Sequence, residues 1–277
     1  MSADFKPDSP LVRSIAPTPN FGPRRLPVDM LLLHYTGMDT AEAAIAIMQK
    51  PEAEVSCHYV VLEDGGVVQM VAEENRAWHA GLSSWEGESD TNSRSIGIEI
   101  VNGGHSAGLP PYPNAQIMAV VDLCRDILSR HSIRADRVLA HSDIAPARKH
   151  DPGERFPWER LHAAGIGHLV PEAQMDGGRF FMLGDEGQPV AALQAMLALY
   201  GYGVEVNGRY DEDMVTVVSA FQRHFRRSQV DGVADGGTIL TLRNLLAERP
   251  SDQPVEEEVP QPDMSHAAIR LYKAGEG

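Results

Sequence analysis

Two histidines and an aspartate stand out among the residues that could do chemistry. His34 closes the apolar run at residues 30–33, whereas His141 and Asp151 bracket a stretch that contains Pro146. Two imidazoles and one carboxylate can bind a zinc ion and leave its fourth position for water. Asp151 follows His141 by ten positions (151 − 141), so a folded-back loop could bring both side chains to one metal. The residue types and their spacing therefore suit a zinc-dependent hydrolase.

The composition is that of a globular chain with room for a substantial core. The chain has 277 residues, of which 43% are hydrophobic, and this length predicts one full domain plus a smaller one. Its net charge of −15 disfavours a nucleic-acid backbone as the main partner. No apolar stretch approaches the roughly 20 residues of a transmembrane helix, and no secretory signal is recognisable. Cys57 and Cys124, the only cysteines, are predicted to be buried free thiols.

The elements that must position these residues follow an α/β pattern. Strands are predicted at residues 28–35, 55–62, 67–71 and 95–101, and helices at residues 41–48 and 117–128. In the last of these strands three isoleucines alternate with Gly97 and Glu99, so Glu99 lies on the face opposite the isoleucines. The predicted fold class is α/β, a central mixed β-sheet flanked by helices, followed by a small three-helix bundle.

Four segments are predicted along the chain. Residues 1–27 contain six prolines and are expected to form an extended leader without regular structure. Residues 28–170 form the α/β domain, and residues 178–247 form the helical bundle after a polar, glycine-containing connection. Residues 248–277 are an acidic, proline-rich tail.

Five separated blocks of sequence carry a family resemblance. They are Leu33-His34-Tyr35-Thr36, Ser56-Cys57-His58-Tyr59, Ala77-Trp78-His79-Ala80-Gly81, Ser95 through Ile100, and His141 through Gly153. In this order they are similar to type 2 N-acetylmuramoyl-L-alanine amidases, a zinc-dependent family related to peptidoglycan-recognition proteins. Five blocks in order are far more specific than any one of them. The resemblance covers about residues 15–165 and identifies residues 28–170 as a zinc amidase domain.

The resemblance implies a reaction and a role for five residues. The family's zinc ligands correspond to His34, His141 and Asp151, and its reaction hydrolyses the amide between the lactyl group of N-acetylmuramic acid and L-alanine of the stem peptide. Glu99 matches the acid/base that takes a proton from water and returns it to the departing amine. Lys149 matches the cation that stabilises negative charge on the carbonyl oxygen. Without this match to the family pattern, Glu99 and Lys149 would be interpreted as ordinary surface residues.

Three further residues are expected to contact the substrate. Trp78 and His79 suit a groove wall, and Asn92 matches a family asparagine near the groove. Trp78 also has a plainer explanation, since a tryptophan in a strand-rich domain is more often simply packed. His58 and His79 could equally be core histidines, and neither is expected to bind the metal, because three protein ligands already complete the zinc set.

Two departures from the family pattern bear on the prediction. Cys57 stands where some relatives have a tyrosine, and we assign no catalytic part to its thiol. Acidic Glu63 and Asp64 stand where many relatives have basic residues that would meet stem-peptide carboxylates. The peptide specificity therefore stays open, whereas the reaction class is unaffected.

The bundle carries a second resemblance. Its segments Val190-Ala191-Ala192-Leu193-Gln194, Gly201-Tyr202, Asn207-Gly208-Arg209-Tyr210-Asp211, Ala220-Phe221-Gln222 and Val230-Asp231-Gly232 look like the three-helix peptidoglycan-binding domain of wall hydrolases. Such a domain raises the local enzyme concentration on a polymer. The alternative is a stabilising bundle without a ligand.

The sequence leaves rival functions and two locations open. A non-catalytic protein that recognises peptidoglycan or muropeptide is the main alternative, although retention of all five catalytic and metal residues favours an enzyme. A zinc amidase acting on another acylated peptide or amino sugar is a third possibility. The lack of a recognisable signal favours cytoplasmic recycling of wall fragments, whereas a polymer-binding bundle favours the periplasm. The oligomeric state and the choice between intact wall and 1,6-anhydro-muropeptide are not predicted.

Overall fold

The fold is built on one mixed β-sheet. The computed structural model describes residues 5–174, 177 and 180–250, so the connection at 175–179 is described only in part, and the predicted tail only at its first three positions, 248–250. Its six strands are β1 Val12–Ile15, β3 Met30–Tyr35, β4 Tyr59–Val61, β5 Val67–Gln69, β7 Ser95–Ile100 and β8 Val138–Ala140. They lie in the order β1-β5-β4-β7-β3-β8, with β4 and β5 antiparallel and the other neighbours parallel. A separate antiparallel pair joins β2 Phe21–Pro23 to β6 Asn75–Ala77.

Helices cover the sheet, which confirms the predicted fold class. In the α/β part they are α1 Ala41–Met48, α2 Thr91–Arg94, α3 Asn114–Arg130, α4 His141–Ile144 and α5 Trp158–Ala163. The bundle consists of α6 Gln188–Tyr200, α7 Glu212–Phe225 and α8 Gly236–Ala247. The amphipathic α3 packs its apolar stripe against the isoleucines of β7. Within residues 5–174 and 180–250 no helix is both long and apolar enough to cross a membrane.

Residues 5–27 of the proline-rich start are part of the fold and contain two strands, β1 and β2, where an extended segment without regular structure was expected; residues 1–4 lie outside the described residues. β1 pairs with β5 at the edge of the sheet. The Asn20 side-chain amide donates to three carbonyls between Met48 and Val55, and the Arg24 guanidinium donates to carbonyls that include those of Glu73 and Ser95. An edge strand needs hydrogen bonds on one side only, so prolines around it are tolerated.

The bundle packs directly against the sheet. One cluster of buried side chains contains Leu32 and Leu139 of the sheet together with Phe221 and other apolar residues of the bundle. Between them Trp85 is fully buried, and its ring lies edge-on to Tyr200 and Tyr202 at centroid distances of 6.1 and 5.1 Å. The α/β part and the bundle therefore share one hydrophobic core.

Candidate metal centre and active site

Three ligand atoms converge at the carboxyl end of the parallel strands. His34 near the end of β3, His141 directly after β8, and Asp151 in the following loop are 1%, 3% and 5% exposed. His34 Nδ1 lies 2.8 Å from His141 Nδ1 and 3.1 Å from Asp151 Oδ2, and His141 Nδ1 lies 2.9 Å from Asp151 Oδ2. These atoms form a group that could hold one metal ion. The structure thus brings together the three ligands predicted from sequence.

The proton on His141 is fixed by the backbone. Its Nε2 lies 3.1 Å from the carbonyl oxygen of Ala80, which can only accept a hydrogen bond. Nε2 therefore carries the proton, and Nδ1 presents a lone pair to Asp151 and His34. Orientation of a ligating imidazole through its other nitrogen is the usual arrangement in metal sites.

A chain of hydrogen bonds fixes the proton on His34 in the same way. The Ser95 hydroxyl donates to the Thr91 carbonyl at 2.6 Å, so its oxygen accepts from His79 Nε2 at 3.1 Å. With its proton on Nε2, His79 accepts at Nδ1 from His34 Nε2, 3.0 Å away. His34 Nδ1 is then unprotonated, so three electron-rich atoms face one another without a hydrogen between them. Such a group fits a cation.

Burial keeps His34 and His79 neutral. It lowers the pKa of His34 to about 4, helped by the neighbouring imidazole of His141, and it lowers the pKa of His79 well below the ordinary value. A neutral imidazole is the form that binds metal. The electrostatics and the hydrogen-bond directions therefore agree on the protonation state of His34.

A cavity of about 330 Å³ opens above the three ligands. Glu99, Lys149, Trp78 and His79 line it beside His141 and Asp151. Its apolar wall comes from α1 and the following loop, where Ile47 and Val55 are 38% and 43% exposed. The cavity thus joins four of the predicted catalytic and substrate-contacting residues to the ligand group.

Glu99 is set into the wall of this cavity. It is half-buried, and its Oε2 is buried and accepts no hydrogen bond from the residues that the structure describes. Burial, and next the charge of Asp151, raise the pKa of Glu99 well above its ordinary value, against the opposing charge of Lys149. A carboxyl group whose pKa is raised by burial, and which faces a cavity, is a candidate for general acid–base catalysis.

Asn92 lies behind the wall of the cavity. It is not among the residues that line the cavity, and its Oδ1 accepts from the backbone amides of His79 and Ala80 at 3.0 and 2.8 Å. It therefore supports the loop that contacts His34 and His141, and a contact between Asn92 and substrate stays a prediction. The part played by Ser95 was not predicted, because its only sequence signal is its place at the head of a family block.

The residues that depart from the family pattern do not line the cavity. Cys57 is fully buried, and burial raises the pKa of its thiol well above the ordinary value. His58 accepts from the Gly97 amide at Nδ1, at 2.9 Å. Asp64 pairs with Arg13 at the surface, and neither it nor Glu63 lines the cavity. The expected buried thiol is confirmed.

Comparison with known proteins gives two family matches. Residues 24–154 match the family described as N-acetylmuramoyl-L-alanine amidase, and residues 186–242 match the putative peptidoglycan binding domain. The chain is 39% identical over 234 residues to the N-acetylmuramoyl-L-alanine amidase AmiD of Escherichia coli K12, covering 79% of this chain and 82% of that protein. It is 37% identical over 129 residues to the 1,6-anhydro-N-acetylmuramyl-L-alanine amidase AmpD of Enterobacter cloacae, covering 47% and 67%.

Solved structures agree with these matches. AmiD from E. coli, in complex with the substrate anhydro-N-acetylmuramic acid-L-Ala-D-gamma-Glu-L-Lys, is similar with a TM-score of 0.68 and 36% identity, over 82% of this chain and 91% of that one. AmpDh3 from Pseudomonas aeruginosa, in complex with anhydromuramic pentapeptide, is similar with a TM-score of 0.65 and 29% identity, over 91% and 98%.

Proposed function

Because this chain belongs to the N-acetylmuramoyl-L-alanine amidase family, we propose that it acts through a zinc ion held by His34, His141 and Asp151. The enzyme hydrolyses the amide between N-acetylmuramic acid and L-alanine of the stem peptide, in peptidoglycan or muropeptides. The observation that carries the zinc proposal is the convergence of three buried, unprotonated donor atoms below the cavity. Two nitrogens and one carboxylate oxygen are the donor set of many catalytic zinc sites.

The proposed chemistry divides between the metal and two side chains. When bound, zinc supplies Lewis acidity, which lowers the pKa of water and polarises a carbonyl group. Glu99 takes a proton from the attacking water and delivers it to the alanine nitrogen as the carbon–nitrogen bond breaks. Its raised pKa, which favours the protonated form, supports the delivery of the proton to the departing amine. Lys149 faces the same cavity and stabilises the negative charge that develops on the carbonyl oxygen.

The cavity walls are proposed to bind the substrate on either side of the scissile amide. Trp78 is half-buried and offers its ring to a sugar or peptide face, while Ile47 and Val55 offer apolar surface. His79 lines the cavity but also accepts a hydrogen bond from His34, so its main role is to orient the imidazole of His34. The similar AmiD and AmpDh3 structures contain anhydromuramyl peptides, which supports a muropeptide of this class as the substrate here.

The bundle is proposed to bind the cell wall. Its match to the putative peptidoglycan binding domain over residues 186–242 supports this role. Retention of the protein on insoluble sacculi, compared with its turnover of soluble muropeptide, tests the proposal. For the location, cytoplasmic recycling and action in the periplasm are both compatible with the reaction, and cell fractionation distinguishes them.

Product analysis tests the proposed reaction. The zinc-loaded protein should release intact stem peptides with a free L-alanine amino group from sacculi or from 1,6-anhydro-muropeptide, as seen by mass spectrometry. A chelator should stop release, and added zinc should restore it. Binding of muropeptide without any cleavage would instead support the non-catalytic recognition protein.

A further inference from the structure

Asp143 links the metal centre to the helical bundle. It lies in α4, the short helix that begins at the ligand His141, and its side chain is fully buried. Its Oδ2 accepts from the backbone amide of Ala140 at 2.8 Å. The other two partners come from the bundle: Tyr202 donates from its hydroxyl to Oδ1 at 2.6 Å, and His224 Nδ1 lies 2.7 Å from Oδ2. One carboxylate thus receives donors from both parts of the molecule.

The two bundle donors are held rigidly. The His224 ring stacks on Trp158 of α5 and on Phe225 of α7, at centroid distances of 3.7 and 3.8 Å. The Tyr202 ring lies edge-on to the buried Trp85 at 5.1 Å. Since neither donor can follow a displaced Asp143 without disturbing these aromatic contacts, their positions define where the carboxylate lies.

The position of Asp143 in turn determines the position of His141. The two residues are in the same four-residue helix, and the amide of Ala140, which precedes that helix, is bound by the same carboxylate. A buried carboxylate that loses its donors must regain water or other partners, because an unpaired buried charge is strongly unfavourable. Any such movement of α4 would displace His141 Nδ1 from the other two ligand atoms.

We propose that Tyr202 and His224 are positioning residues of the metal centre, which act through Asp143 on His141. The bundle is then an integral part of the catalytic unit in addition to any wall-binding role. This inference rests on the proposed metal site at His34, His141 and Asp151. It differs from the simple expectation that an attached binding domain can be lost without effect on soluble substrate.

Conservative variants of the full-length protein test the inference. Tyr202→Phe removes only the hydroxyl that reaches Asp143, and His224→Gln removes the imidazole donor. The matched control is Tyr210→Phe, because the equally buried Tyr210 hydroxyl donates to the Gly232 carbonyl at 2.8 Å, within the bundle. Zinc affinity is measured by competition with a chromogenic chelator, and site geometry by the visible absorption of the Co²⁺-substituted protein. Thermal unfolding of each metal-free variant reports on the fold.

The expected result separates the variants. Loss of a direct outer partner of a metal ligand costs roughly 10–100-fold in affinity, so a partner one step further away should cost about 3–10-fold. We expect that loss and an altered Co²⁺ spectrum for Tyr202→Phe and His224→Gln, and wild-type values for Tyr210→Phe. Equal zinc affinity and identical spectra for Tyr202→Phe and Tyr210→Phe would overturn the inference.

A double-mutant cycle tests whether the effect passes through Asp143. In an Asp143→Ala background, Tyr202→Phe should cause no further loss of zinc affinity, since the acceptor is already gone. Additive losses would show that Tyr202 does not act through Asp143 and would overturn the inference. Should Tyr202→Phe fail to fold, His224→Gln is compared with Tyr210→Phe by the same criteria. Failure of the wild-type chain to bind zinc would instead refute the proposed metal site itself.

Discussion

His34 and Glu99 are register partners on the neighbouring parallel strands β3 and β7. Partners in a parallel ladder project their side chains to the same face of the sheet, and adjacent strands lie about 4.8 Å apart. The ligand and the proposed acid/base are therefore held at a fixed separation by the hydrogen bonds of the central sheet. A proton-transferring group positioned by two inner strands needs little reorganisation during the reaction.

Replacing Glu99 tests its proposed role in proton transfer. Glu99→Gln keeps the shape of the side chain but cannot take a proton from water, so kcat should fall by roughly 10²–10⁴-fold. Zinc content should stay near one per chain, because Glu99 is not one of the three ligands. Kinetics on soluble anhydro-muropeptide and metal analysis provide the two measurements. The exposed Glu63, which lies outside the cavity, provides the control variant Glu63→Gln, and unchanged turnover in Glu99→Gln would refute the role.

The hydrogen-bond chain behind His34 predicts an effect of Ser95 on metal binding. Ser95→Ala removes the acceptor for His79 Nε2, so the proton of His79 is no longer directed away from His34. We expect zinc affinity to fall by about 3–10-fold, because Ser95 lies one step behind His79, the direct partner of His34. Competition with a chelator measures it. Ser93→Ala is the control, because Ser93 is equally buried but its hydroxyl accepts from the Arg25 amide, at 3.4 Å, and not from a histidine of the described residues. Equal affinities of the two variants would contradict the proposed hydrogen-bond chain.

The sequence predicted the three metal ligands better than it predicted the residues that hold those ligands in position. His34, His141 and Asp151 could be predicted because the five ordered blocks match the pattern of a known family. The helix at residues 41–48 could be predicted because its boundaries carry local signals, with Thr40 as its N-cap. The parts played by Ser95 and Asp143 depend on distances between elements far apart in the chain. No local pattern reports such distances.

The structure of residues 5–27 and the contacts of Asn92 could not be predicted from the sequence, for physical reasons. The prolines in residues 1–27 indicated interrupted hydrogen bonding, but an edge strand and a set of side-chain contacts from Asn20 and Arg24 need no continuous ladder. Asn92 carries a polar group that could face substrate or support a loop equally well. Only the three-dimensional fold shows that its side chain accepts hydrogen bonds from the backbone amides of His79 and Ala80.

Gly97 should be intolerant of even a methyl group. A Cβ at this position would lie 2.5 Å from Cγ and Nδ1 of His79, whose ring rests against the strand. Gly97→Ala should therefore displace His79, weaken zinc binding, and lower the free energy of unfolding by about 1–3 kcal/mol, as overpacking commonly does. Gly22→Ala is the control, since its nearest contact would be Trp78 Nε1 at 3.9 Å. Chelator competition and chemical denaturation of both variants check the prediction, and equal values for the two would contradict it.

Glu73 should make the stability of the enzyme depend on pH in the acid range. Burial alone would raise its pKa, but hydrogen bonds from His131, Arg130 and Tyr59 lower it to about 2, from an ordinary value of 4.5. A carboxyl group whose pKa is lower in the folded state stabilises the fold above its unfolded pKa, and this stabilisation is lost as the pH falls from about 5 towards 2.

Glu73→Gln should remove that contribution. From the difference between the two pKa values, the variant should be less stable than the wild type by on the order of 3 kcal/mol at pH 7. The difference in unfolding free energy between the two proteins should narrow steadily below pH 5, because only the wild type has this carboxylate to protonate. Urea unfolding between pH 2.5 and 7 measures it, with the exposed neighbour Glu74→Gln as the control. A gap that stays constant over this range would show that the Glu73 contacts stabilise the fold without depending on its charge.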